Sequence, residues 1–273
     1  MLSFYHELDS THPYTLHSHT QFCDGRFTMA EFAEAAAKAG FSHYGFSPHA
    51  PITVESGCNM RREDVGAYLT EADRLKELYD GRVKIYTSME IDYLGDDWGP
   101  AHEYFRALPL DYRIGSVHFV PTQEGVPVDV DGSPERFAAR LRECFHNDLR
   151  YVVEKFFEQT INMVESGGFD IIGHFDKIAL NASHVEKGID RTEWYEALVS
   201  DLINRIEAKG TTVEINTKHY AKYGLFFPDV RFWKELENRR IPIVVNSDAH
   251  YTDLINSSRQ EALALLQEVR HRN

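Results

Sequence analysis

Seven short apolar segments alternate with amphipathic helical stretches along this chain, and all but one of the segments run into a histidine, aspartate or glutamate. Parallel strands need a long crossover between them, and a helix is the usual one, so this alternation predicts an α/β fold built on a parallel sheet. The segments Tyr14–His17, His43–Ser47, Val83–Ile91, Tyr112–Val117, Phe169–Gly173, Thr212–Asn216 and Ile241–Asn246 read as the strands. Thr28 caps a first helix, Glu31 completes a capping box with it, and Gly40 supplies the stop. Further helices are expected near Glu63–Tyr79, within Pro134–Ser166 as one helix or two, from Thr192 to about Lys209 before Gly210, over Val230–Asn238 and over Ser257–Arg270.

The chain has 273 residues without a linker, a low-complexity tract or a short repeat, so a single domain over 1–273 is expected. Its net charge of -14 disfavours a broad grip on nucleic acid or an anionic membrane, yet admits an anionic substrate once divalent ions reverse the local field. Cys23, Cys58 and Cys144 are odd in number and lack CxxC spacing, which fits a reducing compartment. The start MLSFYHELDSTHPYT has no signal-peptide pattern and no apolar run approaches the ~20 residues of a membrane span, so a cytoplasmic protein is expected. A homodimer is compatible with the sequence.

The positions after the strands carry the functional reading. His17 and His19 end the first, His49 follows the second, Glu90 lies near the end of the third, His118 follows the fourth, His174 the fifth, and Asp248 with His250 the seventh. In α/β barrels the reactive groups gather on this C-terminal face, contributed by different strands. Imidazoles and carboxylates are ligands for zinc, manganese and iron. His17-Ser18-His19 alone is an ordinary loop entrance; it is the convergence of six strand ends that points to metal. Lys218 follows strand six, Lys177 follows strand five, and Arg61 or Arg62 lies after strand two, all candidates for gripping phosphate oxygens. Asp176 reads as a carboxylate that orients a ligand imidazole, and His219 as a rim residue. His6, His12, His43, His102, His146, His184 and His271 fall away from the strand ends and are not expected to bind metal.

The segments HSHTQFCDG, SPH, SMEID, SVHF, GHFD and NSDAH, in this order, resemble the polymerase-and-histidinol-phosphatase (PHP) superfamily from His17 to His250. SMEIDYLG, GSVHFV and GHFDKI further resemble its histidinol-phosphate phosphatase branch. The resemblance implies a distorted (βα)7 TIM-like barrel with a cluster of three divalent ions, zinc, manganese or iron. It places His17, His19, Glu90 and Asp248 at the first ion; Glu90, His118 and His174 at the second; and Asp24, His49 and His250 at the third. Many relatives carry a histidine one position after Asp24, where this chain has Gly25. Glu90, Asp248 and His250 are the residues to which the resemblance gives the catalytic role. A carboxylate bridging two cations ~3.5–4 Å apart suits in-line phosphoryl displacement by an acidified water.

The activity implied is hydrolysis of L-histidinol phosphate to L-histidinol and phosphate in histidine biosynthesis, on a small phosphorylated substrate. Other branches act on nucleotides, oligonucleotides or phosphotyrosine proteins, and the charge weighs against polynucleotides. Amidohydrolases also open with HxH, but bridge their metals with a modified lysine on strand four; here that strand ends in His118 and the bridging candidate is Glu90 on strand three. A non-catalytic barrel is disfavoured by the full ligand set.

Overall fold

The strands of this protein follow one another around a ring, with helices outside it. The computed structural model describes Leu2, residues 4–8 and residues 13–271, so His12 lies outside the described residues. The strands are β1 (Tyr14–Thr15), β2 (His43–Phe46), β3 (Lys84–Thr87), β4 (Glu90–Asp92), β5 (Ile114–Ser116), β6 (Phe119–Pro121), β7 (Pro127–Asp129), β8 (Ile171–Ile172), β9 (Thr212–Asn216) and β10 (Ile243–Asn246). The helices are α1 (Met29–Lys38), α2 (Val65–Leu78), α3 (Glu103–Ala107), α4 (Pro134–Cys144), α5 (Leu149–Ser166), α6 (Ile178–Val185), α7 (Glu193–Lys209), α8 (Tyr220–Tyr223), α9 (Val230–Asn238) and α10 (Arg259–His271).

One parallel sheet runs β1-β2-β3 and a second runs β10-β9-β8-β5-β4. The third expected strand is therefore two: the chain leaves the first sheet after Thr87 and enters the second at Glu90. The parallel bridge from His49 to Glu90 spans this break, and one from Ser18 to Ala249 links the other ends of the two sheets. Beside the latter, side chains replace a regular ladder, with Leu16 N donating to Asn246 Oδ1 at 2.8 Å and Ser247 N to Thr15 Oγ1 at 3.3 Å. Counting β3 and β4 as one stave, the ring has seven parallel staves, the number read from the sequence.

Alternation along the strands sorts side chains into the ring and out of it. Inward residues form layers. Leu16, Tyr86, Tyr112, Ile114, Ile171 and Val244, joined by Leu2 and Phe4, make an apolar layer. Two residues further along the strands, Ser116, Glu214 and Asn246 form a buried polar layer, and the candidate ligands lie beyond it. The outward residues Ile172, Val213, Ile215, Ile243 and Val245 pack under helices α5, α7 and α9 in one large core, while α1 and α2 cover the smaller sheet in another. Gly45 on β2 is required by this packing, because a Cβ there would overlap the Tyr112 hydroxyl, which donates to the Leu16 carbonyl.

The capping box at Thr28 and Glu31 forms as expected, and Gly40 and Gly210 follow their helices in the left-handed region. Pro134–Ser166 resolves into α4 and α5, broken where His146 and Asn147 adopt φ of 53° and 62°. The β6–β7 hairpin was not anticipated; it leaves the ring directly after His118 and leans over the mouth. No helix of the described residues is long and apolar enough to cross a membrane, and Cys23, Cys58 and Cys144 are free thiols.

Candidate metal centre

Because each stave ends at the same level, its next residue or two project into one cleft of about 490 Å³, bordered by Asp24, His49, Glu90, His118, Asp248 and His250. The nine predicted ligands come together. Glu90 is their hub: its Oε1 lies 2.9 Å from His174 Nε2 and 3.6 Å from His118 Nε2. Its Oε2 lies 3.0 Å from His49 Nδ1, 3.3 Å from His17 Nε2 and 3.6 Å from His19 Nε2. Asp248 Oδ1 is 3.0 Å from His19 Nε2 and 3.9 Å from His17 Nε2. Asp24 Oδ1 is 3.3 Å from His250 Nε2, 3.6 Å from His19 Nδ1 and 4.0 Å from His49 Nε2.

These contacts are close, yet several are not hydrogen bonds. Glu90 Oε2, His49 Nδ1 and Asp24 Oδ1 are buried from water and accept or donate no well-oriented bond. Buried polar atoms left unpaired are costly, and lone pairs that meet without a proton between them fit a cation as their common partner. Four groups of donor atoms each lie within 4.8 Å of one another: His19, Asp24, His49 and His250; His17, His19 and Asp248; Glu90, His118 and His174; and His49, Asp92 and His118. The first three correspond to the expected sites, the second of them without Glu90, and His19 also joins the group of Asp24, His49 and His250. The residues therefore suit the hard and borderline divalent ions that take mixed nitrogen and oxygen ligands.

Asp24 takes its place through the loop after β1. A Cβ on Gly25 would stand 2.3 Å from Thr20 N and 2.4 Å from the His19 carbonyl carbon, so no larger residue fits there. This turn folds back on the HxH backbone and leaves the preceding carboxylate to face His250. Asp248 adopts φ of 48°, a conformation that Asp and Asn tolerate better than most residues and that turns its carboxylate toward His19 and Lys218.

Two carboxylates orient the imidazoles from behind. His17 Nδ1–H donates to Glu214 Oε1 at 2.7 Å, and His118 Nδ1–H donates to Asp92 Oδ1 at 2.7 Å; each fixes the tautomer that turns Nε2 to the cluster. Glu214 also accepts from Asn246 Nδ2, Asn216 Nδ2 and the His174 backbone, at 2.9, 3.1 and 3.1 Å. Asp176, expected to orient an imidazole, instead accepts the Asp229 backbone N–H at 2.9 Å on the far side of its strand end. Burial there pushes its carboxyl up to about 7.

Charge balance within the cluster follows from proximity. Burial would raise the Glu90 carboxyl, but His17, His49 and His118 outweigh it and hold it well below the usual range. Burial would also raise Asp248, and Lys218 with His17 and His19 reverses the sign. Burial disfavours the charged form of His118, yet Asp92 and Glu90 lift it to about 9.

Of the expected phosphate-gripping cations, Lys218 and Lys177 border the cleft and Arg61 does not. Lys218 Nζ lies 3.1 Å from Asp248 Oδ1 and 3.4 Å from His250 Nε2, while Lys177 Nζ donates to Asp131 Oδ2 at 2.8 Å. Met60 turns inward and is buried, which sends the neighbouring Arg61 out to solvent. Arg62 lies over the Tyr104 ring, 4.3 Å from its centroid. Arg136 and Lys222, unremarked in the sequence, border the cleft instead, as does His219. Of the histidines read as bystanders, His43 lies on β2, His102 caps α3 and His184 lies on α6, all away from the cleft lining.

A ring of parallel staves carrying an imidazole and carboxylate cluster at its C-terminal mouth defines a metal-binding α/β protein. Residues 15–218 match the PHP domain family, and the chain belongs to that family. The histidinol-phosphatase of Bacillus subtilis is 28% identical over 263 residues, spanning 86% of this chain and 92% of that protein. The fold is similar to that of HisK from Listeria monocytogenes, at a TM-score of 0.81, 20% identity and coverage of 91% and 99% of the two chains. It is also similar to the histidinol phosphate phosphatase of Lactococcus lactis complexed with zinc, L-histidinol and phosphate, at 0.70, 18% identity, and 94% and 93% coverage.

Proposed function

We propose that this protein is a metal-dependent phosphomonoesterase that hydrolyses L-histidinol phosphate to L-histidinol and phosphate, working as one domain over its 273 residues. The observation that carries the reading is Glu90, whose two oxygens face separate sets of histidines at the floor of a cleft edged by lysines. Its similarity to the Bacillus subtilis histidinol-phosphatase over 86% of the chain supports the choice of substrate.

When bound, divalent ions supply Lewis acidity to the phosphoryl group and to the attacking water. His17, His19 and Asp248, with Glu90, would hold one ion; His118 and His174, with Glu90, would hold a second; Asp24, His49 and His250 would hold a third. Glu214 and Asp92 keep His17 and His118 turned toward it. Lys218 and Lys177, both on the border of the cleft, would donate N–H groups to the phosphate oxygens not bound by cations. The hairpin β6–β7 and the loop carrying Ser56, Cys58 and Asn59 wall the cleft, limiting water around the ester.

The test is release of inorganic phosphate from L-histidinol phosphate, nucleoside monophosphates and a phosphotyrosine peptide, beside an amide substrate, with metal-loaded and chelated protein. Histidinol phosphate should give the highest kcat/KM, and chelation should abolish it. A higher value for a nucleotide or phosphopeptide would remove the substrate assignment, and amide turnover alone would remove the reaction class.

A further inference from the structure

A carboxylate that faces a phosphate cleft without a cation ligand's place in it needs a physical reason, since it repels the substrate's dianion. Asp131 is such a group. It follows the β6–β7 hairpin, borders the cleft, and its side chain is about one third exposed, at 32%. Its Oδ2 accepts from Lys177 Nζ at 2.8 Å, and its backbone N–H donates to Asp129 Oδ1 at 2.8 Å. Its Oδ1 accepts no hydrogen bond from the described residues and is not sealed from solvent. The other acid of that wall, Asp129, is matched differently: Arg140 lies 2.8 Å and Arg136 3.8 Å from its Oδ2. Asp131 thus borders the cleft with one oxygen free of any donor among the described residues, while the lysine on its other oxygen lies close enough to the cluster to feel Asp248 and Glu90.

We propose that Asp131 accepts a primary ammonium group carried on the alcohol side of the phosphate ester, so that the Lys177–Asp131 pair reads a zwitterionic aminoalkyl phosphate, cation against phosphate and anion against amine. This rests on the phosphomonoesterase reading of the same cleft. Charge pairing of this kind selects by unequal penalties. An ester lacking the amine leaves the second Asp131 oxygen without a donor beside the phosphate, whereas an amine-bearing ester satisfies the oxygen that no protein group takes. A role confined to holding Lys177 would treat both esters alike.

The experiment compares metal-loaded wild type, Asp131→Asn and Asp131→Glu on two matched ester pairs: L-histidinol phosphate with its deamino analogue, and phosphoethanolamine with ethyl phosphate. Metal content is measured in every sample. The ratio of kcat/KM for amine over deamino ester should fall roughly 10- to 100-fold in Asp131→Asn, mainly through KM, the loss expected for one charge-assisted hydrogen bond. Asp131→Glu should retain most of the ratio, and metal content should match across the three proteins. A ratio in Asp131→Asn within about twofold of wild type would overturn the proposal. If that variant turns over neither ester, the same ratio is read from calorimetric binding of L-histidinol and its deamino alcohol in the presence of phosphate, by the same criterion. Wild type that prefers the phosphoethanolamine pair and ignores histidinol phosphate would sink the substrate assignment, leaving the ammonium claim to be judged on that pair. Wild type that hydrolyses none of the four esters would sink both.

Discussion

Glu90 faces five imidazoles within 3.6 Å of its two oxygens, those of His17, His19, His49, His118 and His174. Replacing it with Gln keeps the shape but removes the charge that balances them. Metal content should fall, and turnover should drop by more than the roughly 10- to 100-fold that outer partners cost; an active, metal-replete Glu90→Gln protein would refute the shared-ligand arrangement. Glu214 acts one layer deeper. Glu214→Gln should weaken metal affinity about 10- to 100-fold in a chelator-competition titration while leaving the far-ultraviolet spectrum intact; unaltered affinity would reduce it to a packing residue. The strand-end histidines were legible from sequence because position after an apolar segment already implies the mouth of the ring. Glu214 and Asp92 were not read, although each is a charge inside a strand. Glu214 stands between Val213 and Ile215, a spacing that turns it inward and that could have marked it. Asp176 misled for the complementary reason: nearness in sequence to His174 says nothing about which way a strand end bends.

Among the elements, α1 shows how far local chemistry reaches. Thr28 accepts from Glu31 N at 3.2 Å, Glu31 accepts from Thr28 N at 2.8 Å, and the apolar residues Met29, Phe32, Ala33 and Ala36 meet the core. Thr28→Ala should cost about 1 kcal/mol, seen as a lower urea midpoint with unchanged slope and unchanged metal content. Seven staves, the helix over Val230–Asn238 and the end of α7 at Gly210 were legible, since period and stop signals agree there. The break after Thr87 was not, because Val83–Ile91 reads as one strand without a turn signal and only ring closure decides where it changes sheets. The β6–β7 hairpin was missed because each arm has three residues and all those of β7 are half-buried, too short for alternation to register. α6 was hidden by following a strand end so closely that its first residues read as loop.

At the scale of the molecule, an acidic chain of net charge -14 gathers six of its 14 histidines and several carboxylates into one largely buried cluster. Cations that bind only the folded arrangement stabilise it, by about 2.7 kcal/mol at a hundredfold excess over Kd. Chelation should therefore lower Tm by roughly 5–10 °C, given a few degrees per kcal/mol for a chain of this size. Calorimetry with and without chelator measures it, and an unchanged Tm would count against tight binding. The ring's two discontinuities give this effect an address. One lies where His49 meets Glu90 and the other where Ser18 meets Ala249, and at each the backbone contributes a lone bridge. The donors straddle these gaps: His17, His19 and His49 extend from the smaller sheet, Glu90, His118, His174 and Asp248 from the larger. Bound ions would stitch two half-shells into one, so that stripping them lets the seams breathe first, with amide deuteration rising there while the ladder between β9 and β10 stays slow.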